Sequence, residues 1–114
     1  MGFVIEVDGG PRLYITGDTA ETDLLQTAGR HKPQVMCVCI NAGFKNLSHW
    51  QAAELVKAID PEIAIPCHFD MFRDNTCPPH MFRASLAVLG IEEKYRLLDY
   101  ATPFLYPADA RAGA

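Results

Sequence analysis

The residues of this chain with the clearest chemical potential follow two strand-like segments. Gly17-Asp18 ends one apolar segment, and His68 ends another further along the chain. In open α/β sheets, functional residues gather at the carboxyl ends of the strands. A carboxylate and an imidazole that converge there can be ligands of a metal ion or an acid–base pair. The alternative roles are a helix N-cap for Asp18 and a structural hydrogen bond for His68.

Four further polar residues flank these strand ends. Asp70 lies two residues after His68 and can accept the second N–H of a ligand histidine, although an Asx turn explains it equally well. Asn41 begins the loop after a third apolar segment, where it either faces a substrate or serves ordinary turn chemistry. Arg73 and Asn75 lie in the loop after His68 and can bind an anionic group such as a phosphate, or simply be solvated.

The four cysteines do not form a recognisable metal motif. Cys37 and Cys39 are two residues apart on a predicted strand, so they share a face and are poorly placed for a disulfide with each other. With Cys67 and His68 they lack any familiar zinc spacing. Buried free cysteines pack as small hydrophobic residues, and reduced thiols suit a cytoplasmic protein.

Composition excludes several classes of protein. The chain has 114 residues, 49% of them hydrophobic, with 10 Lys+Arg against 14 Asp+Glu. These values are typical of one globular domain rather than a disordered chain. No basic run provides a surface for nucleic acid or an anionic membrane. No apolar stretch approaches the ~20 residues that cross a bilayer, and no secretory signal is recognisable at the amino terminus.

The elements that must position the candidate residues alternate between strands and helices. A hairpin turns at Gly9-Gly10-Pro11, because glycine permits a positive φ and proline fixes φ. The strands are predicted at residues 2–7, 12–17, 35–40, 63–66 and 95–100, and the helices at 20–30, 48–60 and 80–89. Asp18 or Thr19 is predicted to cap the first helix, and Ser48 with Gln51 forms a capping box at the second. The order β-β-α-β-α-β-α-β predicts an α/β fold with a mixed sheet.

These motifs together resemble the C-terminal half of the metallo-β-lactamase superfamily. The hairpin ends in YITGDT at residues 14–19, and a later strand ends in IPCHFDMF at residues 65–72. The second run resembles the branch that contains L-ascorbate-6-phosphate lactonase, as do the loop at residues 40–43 and the helix that begins at Ser48. The resemblance implies one half of an αββα sandwich over residues 1–106, followed by a flexible tail at residues 107–114.

The resemblance also implies roles for individual residues. In that superfamily the aspartate of Gly-Asp bridges two metal ions and the late histidine binds one of them. Carried over, Asp18 and His68 are the catalytic metal ligands, and the metal is zinc or manganese. Asp70 and the neighbouring polar residues would orient those ligands or contact a substrate. That substrate would be a small-molecule ester, a lactone or a phosphorylated sugar.

One part of the superfamily pattern is absent from the chain. The motif HxHxDH does not occur in the sequence. We therefore expect part of a hydrolase that is inactive without an N-terminal half. The alternatives are a non-catalytic module that self-associates, and a pair of chains that pool Asp18 and His68. A single half-sandwich would leave Val4, Tyr14 and Ile15 without a partner sheet, which favours a homo-oligomer or the missing half as partner.

Overall fold

Four strands form one mixed sheet. The computed structural model describes residues 2–20, 22–42, 46–67 and 77–109. The strands are β1 (Phe3–Glu6), β2 (Arg12–Ile15), β3 (Val35–Cys39) and β4 (Ile63–Cys67). They lie in the order β1-β2-β3-β4, with β1 antiparallel to β2 and the other neighbours parallel. The predicted α/β class and mixed sheet are confirmed.

Helical segments connect the parallel strands and follow the last of them. They are a 3₁₀ helix (Asp23–His31), α1 (His49–Ile59), α2 (Pro79–Val88) and a 3₁₀ turn (Glu92–Lys94). The predicted capping box is confirmed, because the Gln51 N–H donates to Ser48 Oγ at 3.1 Å and the Ser48 N–H donates to Gln51 Oε1 at 3.0 Å. Sequence cues therefore located the start of α1 correctly.

The first helical segment differs from its prediction. It begins at Asp23 rather than residue 20, is a 3₁₀ helix, and has Thr22 as its N-cap. Thr22 has the extended φ of −158° that an N-cap adopts, and its hydroxyl accepts the Leu24 N–H at 3.4 Å. The prediction that Asp18 or Thr19 caps this helix is therefore wrong.

The predicted last strand at residues 95–100 is also wrong. Tyr95 forms an isolated parallel bridge with Ala64, and the Arg96 N–H donates to the Ala64 carbonyl at 3.1 Å. The Arg96 guanidinium then donates to the carbonyls of Glu93 and Tyr95, at 2.8 and 2.7 Å. Beyond this bridge, residues 96–99 have no regular secondary structure and the ladder does not continue.

The two faces of the sheet have different neighbours. The helices cover one face, where Tyr14, Met36, Val38 and Ala64 pack with α1 and α2. On the opposite face, Val35, Ile63 and Ile65 form a second cluster that contacts Phe104 and Tyr106. The first 3₁₀ helix, α1 and α2 therefore pack on one side of the sheet, and the chain after α2 partly covers the other.

The uncovered part of the second face lies on the β1–β2 hairpin. Its residues are Phe3, Ile5, Leu13 and Ile15, which the strand register places on one side of the sheet, and we call them the open face. Phe3 and Ile5 are 59% and 46% exposed. The expectation that Val4 and Tyr14 lack a partner is wrong, because both pack on the helix side and Tyr14 is buried.

Two remaining predictions concern membrane-spanning helices and the carboxyl-terminal tail. Within the described ranges, no helix combines the length and apolar character that crossing a membrane requires. The predicted tail at residues 107–114 is described only as far as residue 109, so its flexibility stays a prediction.

Candidate metal site at the carboxyl edge of the sheet

The three parallel strands end side by side. The Thr16 N–H donates to the Cys37 carbonyl at 3.0 Å, and the Ile40 N–H donates to the Cys67 carbonyl at 3.3 Å. The segments that follow β2, β3 and β4 therefore leave the sheet from neighbouring strands at one edge. We call this the carboxyl edge, and define it by Thr16–Asp18, Ile40–Ala42 and Cys67.

Asp18 lies at this edge on a turn that glycine makes possible. Gly17 has a φ of +62°, a conformation that side-chain-bearing residues rarely adopt. The chain bends there, and Asp18 is exposed at the end of β2. Because Thr22 caps the first helix, the N-cap role that sequence allowed for Asp18 is removed. A carboxylate at a strand end without a capping role is a candidate ligand.

Thr16 was not identified from the sequence, yet it holds the edge together. Its side chain is only 1% exposed, and its hydroxyl oxygen accepts the Cys39 N–H at 3.1 Å. The same hydroxyl donates to the Gly17 carbonyl at 2.9 Å. It thereby ties the turn that carries Asp18 to β3. The available signal was a hydroxyl residue placed directly before Gly-Asp at a strand end.

Asn41 lies at the same edge and is buried. Its side chain is 4% exposed, unlike an ordinary exposed turn residue. The following residue, Ala42, has a φ of +59° and its N–H donates to the Leu47 carbonyl at 3.0 Å. This bond closes the loop before α1. Asn41 thus lies just after the end of β3, and its contact with a substrate stays a prediction.

The remaining predicted site residues fall outside the part of the chain that the structure describes. They are His68, Asp70, Arg73 and Asn75. Their distances from Asp18 are therefore untested, and their roles stay predictions. Within the described ranges, no three His, Cys, Asp or Glu side chains lie close enough to hold a metal ion. A metal at the carboxyl edge would need ligands beyond Asp18, from residues 68–76 or from outside this chain.

The other three histidines have structural or solvent-exposed positions. The His49 ring Nδ1 lies 2.8 Å from Ser85 Oγ, and that hydroxyl donates to the Met81 carbonyl at 3.1 Å. Nδ1 is therefore the donor, and the contact joins α1 to α2. His31 and His80 are exposed.

The cysteines divide into a buried and a half-buried pair. Cys39 and Cys77 are 3% and 7% exposed, whereas Cys37 and Cys67 are half-buried, and all four are free thiols. A hydrogen bond from Cys67 lowers the pKa of Cys37, although burial opposes the shift. The same bond, together with burial, raises the pKa of Cys67, and burial alone raises that of Cys77.

Known proteins similar to this chain are metal-dependent hydrolases. No protein-family model matches the chain. It is 41% identical over 88 residues to a UPF0173 metal-dependent hydrolase of Anaeromyxobacter sp. (strain K), which covers 75% of this chain and 32% of the relative. A UPF0173 metal-dependent hydrolase of Thermodesulfovibrio yellowstonii is 38% identical over 94 residues, covering 82% and 35%. The chain spans about a third of the length of these curated relatives.

Solved structures of metal-dependent hydrolases also match this chain. Igni18, a metallo hydrolase of the archaeon Ignicoccus hospitalis, matches with a TM-score of 0.68 and 26% identity over 79% of this chain and 39% of that chain. A possible metal-dependent hydrolase from Veillonella parvula matches with a TM-score of 0.72 and 19% identity, covering 89% and 42%. The second likeness concerns the fold alone. The expected metallo-hydrolase fold is confirmed, with this chain matching part of it.

Proposed function

We propose that this chain is part of a metal-dependent hydrolase in which Asp18 and His68 are metal ligands. The observation that carries the proposal is the position of Asp18. It follows a glycine of positive φ at the carboxyl end of β2, at the same edge of the sheet as the end of β4, which precedes His68 and is separated from β2 by β3. The similarity to UPF0173 metal-dependent hydrolases supports it.

The chemistry of the donor set suits a divalent cation. A carboxylate has two oxygens, so Asp18 can contact two ions, and an imidazole nitrogen is a ligand for zinc and for manganese. When bound, such an ion supplies Lewis acidity and lowers the pKa of its bound water toward ~7. Asp18 and His68 are too few for a catalytic site, which usually takes three protein ligands per zinc. We therefore propose that an N-terminal half provides the others.

The substrate we propose is a small-molecule ester, a lactone or a phosphorylated sugar. Arg73 would bind a phosphate through its guanidinium, since that group makes paired hydrogen bonds to anionic oxygens. Asn75 and Asn41 would contact polar groups of the substrate, and Asp70 would orient the His68 ring. All four cysteines are free thiols, which supports a cytoplasmic location for this hydrolase.

The test combines this chain with the N-terminal portion of the Anaeromyxobacter relative. Hydrolysis of lactones and phosphoesters is measured with added Mn²⁺ or Zn²⁺, for the chain alone and for the mixture. We expect metal-dependent activity from the mixture and little from the chain alone. Turnover by the chain alone at ordinary rates of about 1–1000 per second would contradict the requirement for a second half.

The role of Asp18 is tested by Asp18→Asn in the same mixture. Removing the charge should reduce activity by more than about 100-fold, beyond the ~10–100-fold typical of residues that only orient a ligand, such as Asp70. Asp8→Asn is the matched control, because Asp8 is exposed in the hairpin turn and should leave activity unchanged. An Asp18→Asn protein as active as wild type would refute the assigned role.

A second candidate function is a non-catalytic module that self-associates. The observation that favours it is the open face, where Phe3 and Ile5 are 59% and 46% exposed. A patch of this kind on a soluble domain marks a contact surface. A stable oligomer of the chain that binds no metal, and gains no activity in the mixture, would favour this alternative over the hydrolase.

A further inference from the structure

Two of the four cysteines lie diagonally across neighbouring parallel strands. The register of β3 and β4 pairs Cys37 with Ile65 and Cys39 with Cys67. Cys37 and Cys67 are thus offset by two residues on the same side of the sheet. Both contact the cluster of Val35, Ile63 and Ile65. The register therefore makes these two residues diagonal neighbours on the side of the sheet opposite the helices.

The two thiols are also in hydrogen-bonding contact. Cys67 donates to the sulfur of Cys37, which lowers the pKa of Cys37 and favours its thiolate. The Cys67 sulfur lies 3.7 Å from the Ile65 carbonyl, which is a second acceptor for the same proton. An ionised sulfur is the better acceptor, because hydrogen bonds to charged groups are stronger. The contact therefore persists when Cys37 is ionised.

This arrangement has the features of an oxidation-sensitive pair. Redox-sensing cysteines combine thiolate character, access from solvent and a second cysteine nearby. Cys37 and Cys67 are half-buried, whereas Cys39 and Cys77 are buried. We propose that Cys37 and Cys67 form an oxidation site at which hydrogen peroxide generates an intrachain disulfide, with Cys37 as the attacking sulfur and Cys67 as the resolving one.

The reaction has two balanced steps. The Cys37 thiolate attacks one oxygen of hydrogen peroxide, the O–O bond breaks, and a sulfenic acid and hydroxide form. The Cys67 sulfur then attacks the sulfenic sulfur, the S–S bond forms, and the sulfenic oxygen leaves as water with the Cys67 proton. The two sulfurs lose two electrons in total, and the peroxide gains them. A thiol such as glutathione reverses the product by thiol–disulfide exchange.

The diagonal offset determines what the disulfide does to the sheet. Disulfides require Cα atoms about 4.4–6.8 Å apart, and diagonal positions on neighbouring strands are wider than directly paired ones. Closing the bond therefore draws the end of β4 toward β3. Cys67 is the residue immediately before His68 in the chain. Under the proposed function, the disulfide would therefore form immediately before a metal ligand in the chain.

The experiment uses the reduced full chain in EDTA, so its outcome does not depend on the proposed metal site. The chain is treated with hydrogen peroxide, its remaining thiols are alkylated, and its intact mass and fragment ions are measured. We expect a mass loss of two hydrogens and a single intrachain link between Cys37 and Cys67. Cys39→Ala and Cys77→Ala are the matched controls and should form the same link at the same rate.

Two further variants separate the roles of the pair. Cys67→Ala should leave a sulfenic acid on Cys37 that dimedone traps, with no intrachain disulfide. Cys37→Ala should slow reaction with peroxide by at least about tenfold, because the activated thiolate is lost. A disulfide that contains Cys39 or Cys77 would overturn the proposal. So would a wild-type chain whose four thiols all remain alkylatable after peroxide treatment.

Discussion

At the scale of single residues, Thr16 determines how β2 joins the site. Its hydroxyl is the acceptor for a buried N–H of Cys39 and the donor to Gly17. Both hydrogen bonds lie where the chain leaves the sheet, next to Gly17 with its positive φ. The residue that carries the proposed chemistry, Asp18, is thus held by a neighbour that has no chemistry of its own.

Thr16→Val tests this role while nearly preserving side-chain shape. The buried Cys39 N–H would lose its acceptor, so the free energy of unfolding should fall by about 1–3 kcal/mol. Thr16→Ser keeps the hydroxyl and should lose much less. The measurement is urea denaturation, with hydrogen exchange of the Cys39 amide as a local readout.

The matched control for that variant is Thr102→Val. Thr102 is exposed and its hydroxyl donates to the Tyr100 carbonyl, so the change should stay within about 0.5 kcal/mol. Equal losses for Thr16→Val and Thr102→Val would show that burial of the Thr16 hydrogen bonds is not the cause.

Part of the carboxyl edge could be predicted from the sequence, and the rest could not, for a physical reason. Asp18 and Asn41 were identifiable because each follows an apolar strand, and strand ends of a parallel sheet meet at one edge. Thr16 was hidden because its role depends on the register of β2 against β3, which places Cys39 beside it. Register arises from tertiary pairing, and a single strand does not reveal it.

At the scale of elements, helix ends were predicted best where local bonds determine them. Gly90 follows α2 with a φ of +78°. The Gly90 N–H donates to the Ala87 carbonyl and the Ile91 N–H donates to the Leu86 carbonyl. This pair of bonds is the Schellman motif, which requires a left-handed residue after the helix. The glycine in the sequence was therefore a reliable stop signal.

Gly90→Ala should destabilise the chain by about 1 kcal/mol through backbone strain alone. An added Cβ at Gly90 would meet nothing within 4 Å, so crowding does not contribute. Gly29→Ala is the matched control, since Gly29 lies in the first 3₁₀ helix and its Cβ would lie 3.8 Å from Ile59 Cα, an ordinary contact. That variant should be neutral or slightly stabilising by thermal denaturation. A loss at Gly29 equal to that at Gly90 would contradict the explanation.

The two elements that were misplaced from the sequence depend on side-chain hydrogen bonds that residue propensities do not specify. The first helix could begin after Asp18, Thr19 or Thr22, since all three residue types cap helices. The segment after Tyr95 has apolar residues suited to a strand, but Arg96 folds back on the carbonyls of Glu93 and Tyr95. Local propensity did not decide either case.

At the scale of the whole molecule, both faces of the sheet carry apolar residues, but the rest of the chain covers one face more completely than the other. The sequence does not show which set of alternating residues faces the helices, so the expectation of an unpartnered face includes Val4 and Tyr14 as well as Ile15. The handedness of the crossover connections between parallel strands determines which face of the sheet the helices cover. The open face that results consists of Phe3, Ile5, Leu13 and Ile15.

Ile5→Lys tests whether the open face is a contact surface between copies of the chain. If wild type associates through it, a charge on the edge strand should weaken association by at least about tenfold, or 1.4 kcal/mol. Sedimentation velocity over a concentration series measures the change. Val88→Lys is the matched control, because Val88 is 76% exposed at the end of α2. Wild type that stays monomeric throughout the series would contradict self-association through this face.

The spatial order of the strands has a consequence for how the protein is made. Each strand lies next to the strand that precedes it in the chain. A ribosome therefore releases β1 and β2 as a hairpin first, then β3 onto the hairpin, and β4 onto β3. Each of β2, β3 and β4 therefore meets a partner strand that has already been made. The sheet can thus grow vectorially during translation, one edge at a time, and the carboxyl edge is completed only when β4 arrives.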